Sequence, residues 1–512
     1  MNENVKISNP VRNEFLNGAN GVKKLLIFIA FIAGYLIMSL ELLGFRLLAP
    51  YFGNSIYVWG TLIGLILAAL AGGYYLGGWL ADKKAALSLI LKLYLAAGIF
   101  LLVDLFLYSP ILKYLTDWGM IWGLLTATIF IFFVPMVALA AVSPIIMKIL
   151  TTQEKTGHAA GLVYAWGTIG SLLGTFLTAF VLIPYFGSRL TLYSCFFLAL
   201  VISAIIFLQS DWKKITWLGL FFLISLPSIS PEKLPSDVIL QTESVYNQIR
   251  LVDTEKMVLV ILNSQRNKLN QSAYIKNGTL INFSYIDLFN IGPIITPVKN
   301  LLVLGMSGGA SVRQHQQYSP DIKVDAVEID PKVAAIAKER FGIREGDNLK
   351  IFEADARPFL EKSEKKYDMI EIDLFQGNPY LPFYVVSREF FQAAYSHLSS
   401  DGLLMMNIFA PRSQEILVPT LATINSVFPS VYTIPIDDNF VVLATRSTTS
   451  LEEIKNRIVQ AKGQVSLDLR LAVDYTSDLI QEFQPDKKMP IFTDDWAPVE
   501  LLTYRMLKGI RL

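Results

Sequence analysis

One cysteine in 512 residues, Cys195, excludes an internal disulfide. It lies in an apolar run, where a lone thiol behaves as a small buried hydrophobe. No metal-ligand pattern accompanies it, and no metal site is expected. Net charge is nearly absent as well: 44 Lys and Arg against 43 Asp and Glu leave +1. There is no overall basic field, so no nucleic-acid partner is expected. Charged residues make up only 17%, whereas soluble domains carry about a quarter. The deficit is confined to one half. From about residue 25 to 230 the chain is a series of long apolar runs, and after Pro231 its composition is that of a globular domain. Three parts are expected: a transmembrane helical domain (1–230), a small β-hairpin or sheet subdomain (237–295) and a Rossmann-like domain (296–512).

About 20 apolar residues cross the hydrocarbon core as a helix. Candidate spans lie near 25–48, 56–80, 86–108, 119–149, 159–183, 190–209 and 214–230. The fourth contains Pro135 and Pro144 and is expected to be kinked or broken. The seventh is weak, because Pro227 interrupts it. The first run is too long for a cleavable signal and is expected to be a retained helix. Lys23, Lys24, Lys83, Lys84, Lys148, Lys155, Lys213 and Lys214 fall on alternate loops, which places the N-terminus in the cytoplasm. The expected location is a membrane, crossed several times, with the bilayer as a partner. Glu41 and Asp104 lie inside spans, where ionisable groups are costly and face a partner or a wet cavity. The small-residue stretches AGGYYLGG (71–78) and GTIGSLLGT (167–175) suit close helix packing.

In the second half, SVYNQIRLVD, MVLVILNS and QSAYIKNGT read as strands of a small antiparallel sheet. From Lys299 the pattern alternates. LLVLG is a buried strand, followed by a short helix in SVRQHQQYS. KVDAVEID is a strand, followed by the helix PKVAAIAKERFG, with Pro at its start and Gly at its end. LKIFEAD, YDMIEIDLF and GLLMMNIF continue the strands, with the helix SREFFQAAYSHLSS before the last. Alternating strands and helices imply a doubly wound parallel sheet, with ligands at the C-terminal ends of its strands.

Those ends carry the chemistry. Gly305, Gly308 and Gly309 let backbone approach a ligand. Glu328 closes the second strand, 19 residues after Gly309, where a carboxylate can accept from ribose hydroxyls. Asp355, followed by the small Ala356, closes the third and suits an adenine amino group and ring. Asp373 closes the fourth. The turn lacks a full GxGxxG, and no phosphate-loop lysine follows it. An adenosine ligand without pyrophosphate is therefore expected.

LLVLGMSGGASVRQ, VDAVEIDPKV, EADARPFL, YDMIEIDLF and SREFF resemble the glycine turn and later blocks of spermidine synthases. ESVYNQIRLVD is similar to their N-terminal hairpin. TDDWAPVE, ELLGFRLLAPYFGNSIYVWGT, GGYYLGGWLADK and GLVYAWGTIGSLLGT resemble blocks of their membrane-fused relatives. The resemblance implies an S-adenosylmethionine methyltransferase-type fold and an aminopropyltransferase. Decarboxylated S-adenosylmethionine would be a co-substrate, with no tightly bound cofactor and a small amine such as putrescine as acceptor. Asp373 would be catalytic, and Gln376, Tyr246, Tyr285 and Asp495 would bind the amine. Gln376 stands where the soluble enzymes carry an aspartate, and Tyr285-Ile286-Asp287 replaces their Tyr-His-Glu. A methyltransferase using S-adenosylmethionine, or an adenosine-ligand sensor gating a membrane transport domain, are the alternatives. Such donors are made in the cytosol, so a cytoplasmic catalytic domain and a seventh segment that does not cross are expected. A homo-oligomer, such as a dimer, is compatible with this reading.

Overall fold

A computed structural model gives the fold and describes all residues except 1–18, 54, 153, 209–234, 264–271, 277–283, 376–379, 412–413, 487 and 508–512. The chain divides into two compact units, one within residues 1–233 and one covering Leu234–Leu512.

The first unit is helical: α1 (Ala19–Phe52), α2 (Ile56–Lys84), α3 (Leu87–Leu115), α4 (Met120–Thr128), α5 (Val134–Leu150), α6 (Thr156–Leu177) and α7 (Ile183–Leu208). A π turn, Ile129–Phe133, joins α4 to α5, and another, Thr178–Leu182, joins α6 to α7. Each lies just before a proline, Pro135 or Pro184. A proline ring presses on the carbonyl four residues back and supplies no N–H. Those carbonyls, of residues 131 and 180, fall inside the two wide turns, where the extra residue makes room. The expected break in the fourth span is therefore a π turn in a continuous helix.

Among the described residues, five helical stretches are long and apolar enough to cross a membrane. The last, Thr156–Phe207, has 52 residues, about 78 Å at 1.5 Å per residue, against a hydrocarbon core of about 30 Å. Gly187, with φ 77° and ψ 168°, breaks it into two helical segments. These correspond to the fifth and sixth runs read from the sequence. The seventh, 214–230, lies outside the described residues.

The small residues serve packing. A Cβ on Gly170 would lie 1.9 Å from the Phe31 carbonyl oxygen, and one on Gly174 would lie 2.4 Å from that of Tyr35, so α6 presses its backbone on α1. Gly73 and Gly77 bring α2 equally close to Val137, Ala140 and Ala141 of α5. Gly72 and Gly78 face open space. Cys195 is fully buried in this core. Asp104 is 1% exposed, with no hydrogen-bond partner on either carboxyl oxygen among the described residues.

The second unit begins with an antiparallel meander, β1 (Val238–Glu243), β2 (Gln248–Asp253), β3 (Met257–Leu262) and β4 (Ser272–Ile275), in that spatial order. SVYNQIRLVD is not one strand. Its first four residues form the β1–β2 turn, in which the Ser244 hydroxyl accepts from the backbone N–H groups of Tyr246 and Asn247. A serine that satisfies local backbone donors favours a turn over a ladder. After α8 (Tyr285–Phe289) and α9 (Gly292–Ile295), the main sheet follows. Its strands are β5 (Asn300–Leu304), β6 (Lys323–Glu328), β7 (Leu349–Glu353), β8 (Tyr367–Ile372), β9 (Leu398–Phe409), β10 (Ser430–Ile436), β11 (Asn439–Thr445) and β12 (Gln481–Glu482). Their order is β12-β10-β11-β9-β8-β5-β6-β7, with β5 to β9 parallel and β11 and β10 antiparallel beyond. α10 (Ala310–Tyr318), α11 (Pro331–Arg340), α12 (Ala356–Lys362) and α13 (Arg388–His397) are crossover helices.

The alternation within β5 explains why all of LLVL is apolar. Leu301 and Val303 join one core with Ile249, Leu251 and Val260 of the small sheet. Leu302 and Leu304 join the other, with Phe390 and Phe391 of α13. Both faces are covered, as parallel sheets require. The chain leaves β5 toward β6 and β7, then returns to β8 on its other side. That reversal opens a crevice at the C-terminal ends of β5 and β8.

Candidate active site

A polar or glycine position closes each strand along this edge. The order is Asn439 at the start of β11, Asn407 near the end of β9, Asp373 after β8, Gly305 after β5, Glu328 at the end of β6 and Asp355 after β7.

The glycines of the turn answer first to packing. Gly305 has φ +90°, and a Cβ there would lie 2.3 Å from the Asp373 carbonyl oxygen. A Cβ on Gly308 would meet Ser272 and Phe341, and one on Gly309, at φ +79°, would meet Ile343. The expected close approach is thus to protein atoms, and it seats the ends of β5 and β8 against each other. Ser307, at φ +49°, aims its N–H at the Glu328 Oε2, 2.7 Å away.

Glu328 is 7% exposed. Its Oε1 accepts from the Asp330 N–H at 3.1 Å. Burial pushes it up to about 7 against the pull of these backbone donors. Asp330, fully buried, caps α11 by accepting from the Lys332 N–H at 3.0 Å. It also accepts from the Ser244 hydroxyl and from the Asn247 side chain at 2.7 Å, tying the β1–β2 turn to this edge. Asn263, at φ +48°, donates to Asn247 at 2.7 Å. Asp355 caps α12 through the Arg357 N–H at 3.1 Å, and Ala356 behind it is buried. Tyr384 is pushed up to about 12 by burial and by Asp355.

Asp373 is held from two sides. The Asn407 Nδ2 donates to its Oδ1 at 3.0 Å, and the Tyr285 hydroxyl donates to its Oδ2 at 3.0 Å. Asn407 is placed by register: Ile372 pairs with Met406, so the next residues of β8 and β9 lie side by side. The Asn407 Oδ1 in turn accepts from the Asn439 Nδ2 at 2.7 Å. Burial pushes Asp373 up to about 7, and the nearby Glu371 adds to this, while Asn407 and Tyr285 pull the other way. Tyr285 is held well above its ordinary value by burial and by Asp373. Beneath lies a fully buried pair, His315 Nε2 and Glu371 Oε2 at 2.8 Å, with the Ser311 hydroxyl donating to the same carboxylate.

The remaining candidates are dispersed. Tyr246 sits in the β1–β2 turn, 45% exposed. Asp495 is exposed in the C-terminal turn, next to Asp494. Asp494 is committed elsewhere: its two oxygens take a bidentate bond from Arg357, both contacts at 2.6 Å. The TDDWAPVE block therefore closes a turn onto the start of α12. Asp287, in the altered Tyr-Ile-Asp block, is buried and accepts from the Ser284 N–H and the Gln314 side chain. Gln376 lies outside the described residues.

The family model of the spermine/spermidine synthase domain matches residues 287–449, which hold the whole strand-end row from Gly305 to Asn439. The α/β unit is thus similar to spermidine synthases. It is 25% identical over 294 residues to the polyamine aminopropyltransferase of Vibrio vulnificus, covering 55% of this chain and 97% of that one. It is 24% identical over 381 residues to polyamine aminopropyltransferase 2 of Aquifex aeolicus, covering 70% and 74%. The latter match extends beyond the α/β unit into the helical half. A probable spermidine synthase from Corynebacterium glutamicum is a structural neighbour at 18% identity and TM-score 0.41, covering 52% of this chain and 99% of that one. Asn407, Asn439, Asp330 and Tyr384 are site residues of the α/β unit that no motif in the sequence marks. A neutral polar residue closing the apolar run LLMMN was the available signal for Asn407.

Proposed function

We propose that the α/β unit transfers an aminopropyl group from decarboxylated S-adenosylmethionine to an amine such as putrescine. The observation that carries this reading is Asp373, a carboxylate at the switch point held by two neutral donors, in line with the glycine turn and Glu328. Glu328 and Asp355 would hold the adenosine, and Tyr246, Gln376 and Asp495 would contribute on the amine side.

An amine attacks only when its nitrogen lone pair is free. Each oxygen of Asp373 accepts one bond from the protein and keeps a second acceptor site for an amine N–H. In the step proposed, the nitrogen forms a bond to the aminopropyl carbon next to the sulfonium. The carbon–sulfur bond breaks, and its electron pair neutralises the sulfur to give methylthioadenosine. The nitrogen's proton passes to Asp373. No charged donor needs to move; alignment of nitrogen and carbon supplies much of the rate. Asp373 takes over the proton-accepting role, since Gln376 cannot.

We further propose that the helical unit anchors the enzyme in a membrane. The lysine pattern puts the N-terminus inside, and six crossings, counting one on each side of Gly187, return the chain to that side at Leu208. A cytoplasmic catalytic unit follows, where its donor is made. A dimer is compatible with this arrangement.

The test is direct. Purified protein is incubated with decarboxylated or ordinary S-adenosylmethionine and candidate amines, and products are identified by mass. Methylthioadenosine together with an amine extended by one aminopropyl group supports the proposal. Adenosylhomocysteine would instead mean methyl transfer, and binding without any product would leave a sensor.

A further inference from the structure

The side-chain amide of Asn407 has two ends, and only one suits a carboxylate. As Nδ2 toward Asp373 it donates; turned over, it would present Oδ1, an acceptor, to an acceptor. An ionised Asp373 can only accept, so the Asn407 Nδ2 faces it at 3.0 Å, and the Asn407 Oδ1 is left to accept from the Asn439 Nδ2 at 2.7 Å. Asn439 is the first residue of β11 and pairs with Phe409, so it projects from the same face as Asn407, two residues along. Asn407 itself is 1% exposed, so no solvent competes for its amide. The chain Asn439 to Asn407 to Asp373 is therefore polarised in one direction, with each amide donating to the next group.

We propose that Asn439 is a positioning residue: by donating to Asn407 it locks that amide with Nδ2 facing Asp373, keeping the carboxylate ionised and acceptor-only at its second oxygen pair. The inference rests on the aminopropyl-transfer reading for its consequence in catalysis, but not for its geometry. Other titratable groups face Asp373: Tyr285 from α8, and Glu371 from its own strand, the latter in contact with His315 of α10 at 2.8 Å. Asp437 and Asp438 precede Asn439 in the β10–β11 turn. None of these donates to the Asn407 Oδ1; among the described residues, Asn439 is the side chain that does.

The experiment uses the full-length protein and the substitutions Asn439→Asp and Asn439→Leu, each alone and combined with Asn407→Leu. Two readouts are taken. The first is the acidic limb of kcat/KM against pH. The second, independent of turnover, is the infrared carboxyl band that disappears in Asp373→Asn, followed as a function of pH. Asn439→Asp is an acceptor and inverts the Asn407 amide, so both readouts should move up by about one pH unit or more. Asn439→Leu leaves the amide free to rotate and should give a smaller shift of the same sign. In the Asn407→Leu background the added shift should vanish, because the relay is gone; a plain charge effect of the new Asp would persist there. Methylthioadenosine binding by calorimetry reports that each variant is folded. The proposal is overturned if Asn439→Asp leaves the carboxyl titration in place, or if its shift is unchanged without Asn407. If the wild type turns over no amine, the functional reading fails while the infrared titration still decides this one.

Discussion

Asp373 and Glu328 are both pushed up to about 7, yet they respond to pH through different jobs. A base works only when deprotonated, so turnover should rise as pH increases through about 7 and level off above it. Asp373→Asn keeps shape but accepts no proton. We expect turnover to fall by about 10²–10⁴ while methylthioadenosine still binds, as a rate assay paired with calorimetry would show. The same two groups act on stability with the opposite trend. Their ordinary values are 3.8 and 4.5, so between there and about 7 the folded state holds protons that the unfolded chain has lost. Stability from these groups is therefore present at low pH and lost as pH rises through that window. The double variant Asp373→Asn, Glu328→Gln should flatten the decline in Tm between pH 5 and pH 7.5, measured without ligand. These two carboxylates were legible in the sequence because each closes an apolar strand. Their partners were not: Tyr285 is 88 residues from Asp373, and Asn407 is 34 residues away. The bidentate pair of Arg357 and Asp494 spans 137 residues. No local pattern marks such pairs; only sheet order and register bring them together.

At the scale of elements, two glycine contacts separate strain from collision. Gly342, at φ +69°, has open space where a Cβ would go. Gly342→Ala should cost about 1–2 kcal/mol, the left-handed penalty alone. Gly305→Ala meets the same backbone penalty and drives a Cβ toward the Asp373 carbonyl, 2.3 Å away. It should cost at least about 2 kcal/mol more than the Gly342 change, a difference denaturant melts of the two variants would resolve. In the helical unit, Gly170→Ala pushes α6 off α1, whereas Gly161→Ala enters open space. The first should lower Tm clearly. The second should be neutral or raise it slightly, by about 0.5–1 kcal/mol of helix propensity. Helices were the easiest elements to read, because apolar length alone declares them. The β1–β2 turn was misread as strand because Val245 and Tyr246 look like sheet residues; what bends the chain there is the Ser244 hydroxyl.

At the scale of the whole molecule, the composition shift near Pro231 was the plainest signal in the sequence, and the two compact units lie on either side of it. The sidedness of the chain was less legible, since the lysine pattern depends on how many runs cross. Gly187 matters here, because it divides a helical stretch of 52 residues into two segments. If six crossings are right, protease added outside sealed right-side-out vesicles should spare the α/β unit, and inverted vesicles should expose it. Digestion in the first preparation would place the unit outside.

The placement of Asn407 also has a consequence for how the protein is made. The ribosome finishes the glycine turn, Glu328 and Asp355 about fifty residues or more before Asn407 emerges. Until then Asp373 lacks one of its two donors, and Asn439 arrives later still. A nascent or prematurely terminated chain would thus carry the proposed adenosine side of the crevice without a finished amine side. Such a fragment would also lack β9 and β11, whose residues fill both cores of the unit, so the crevice is complete only when the late part of the chain has joined the sheet.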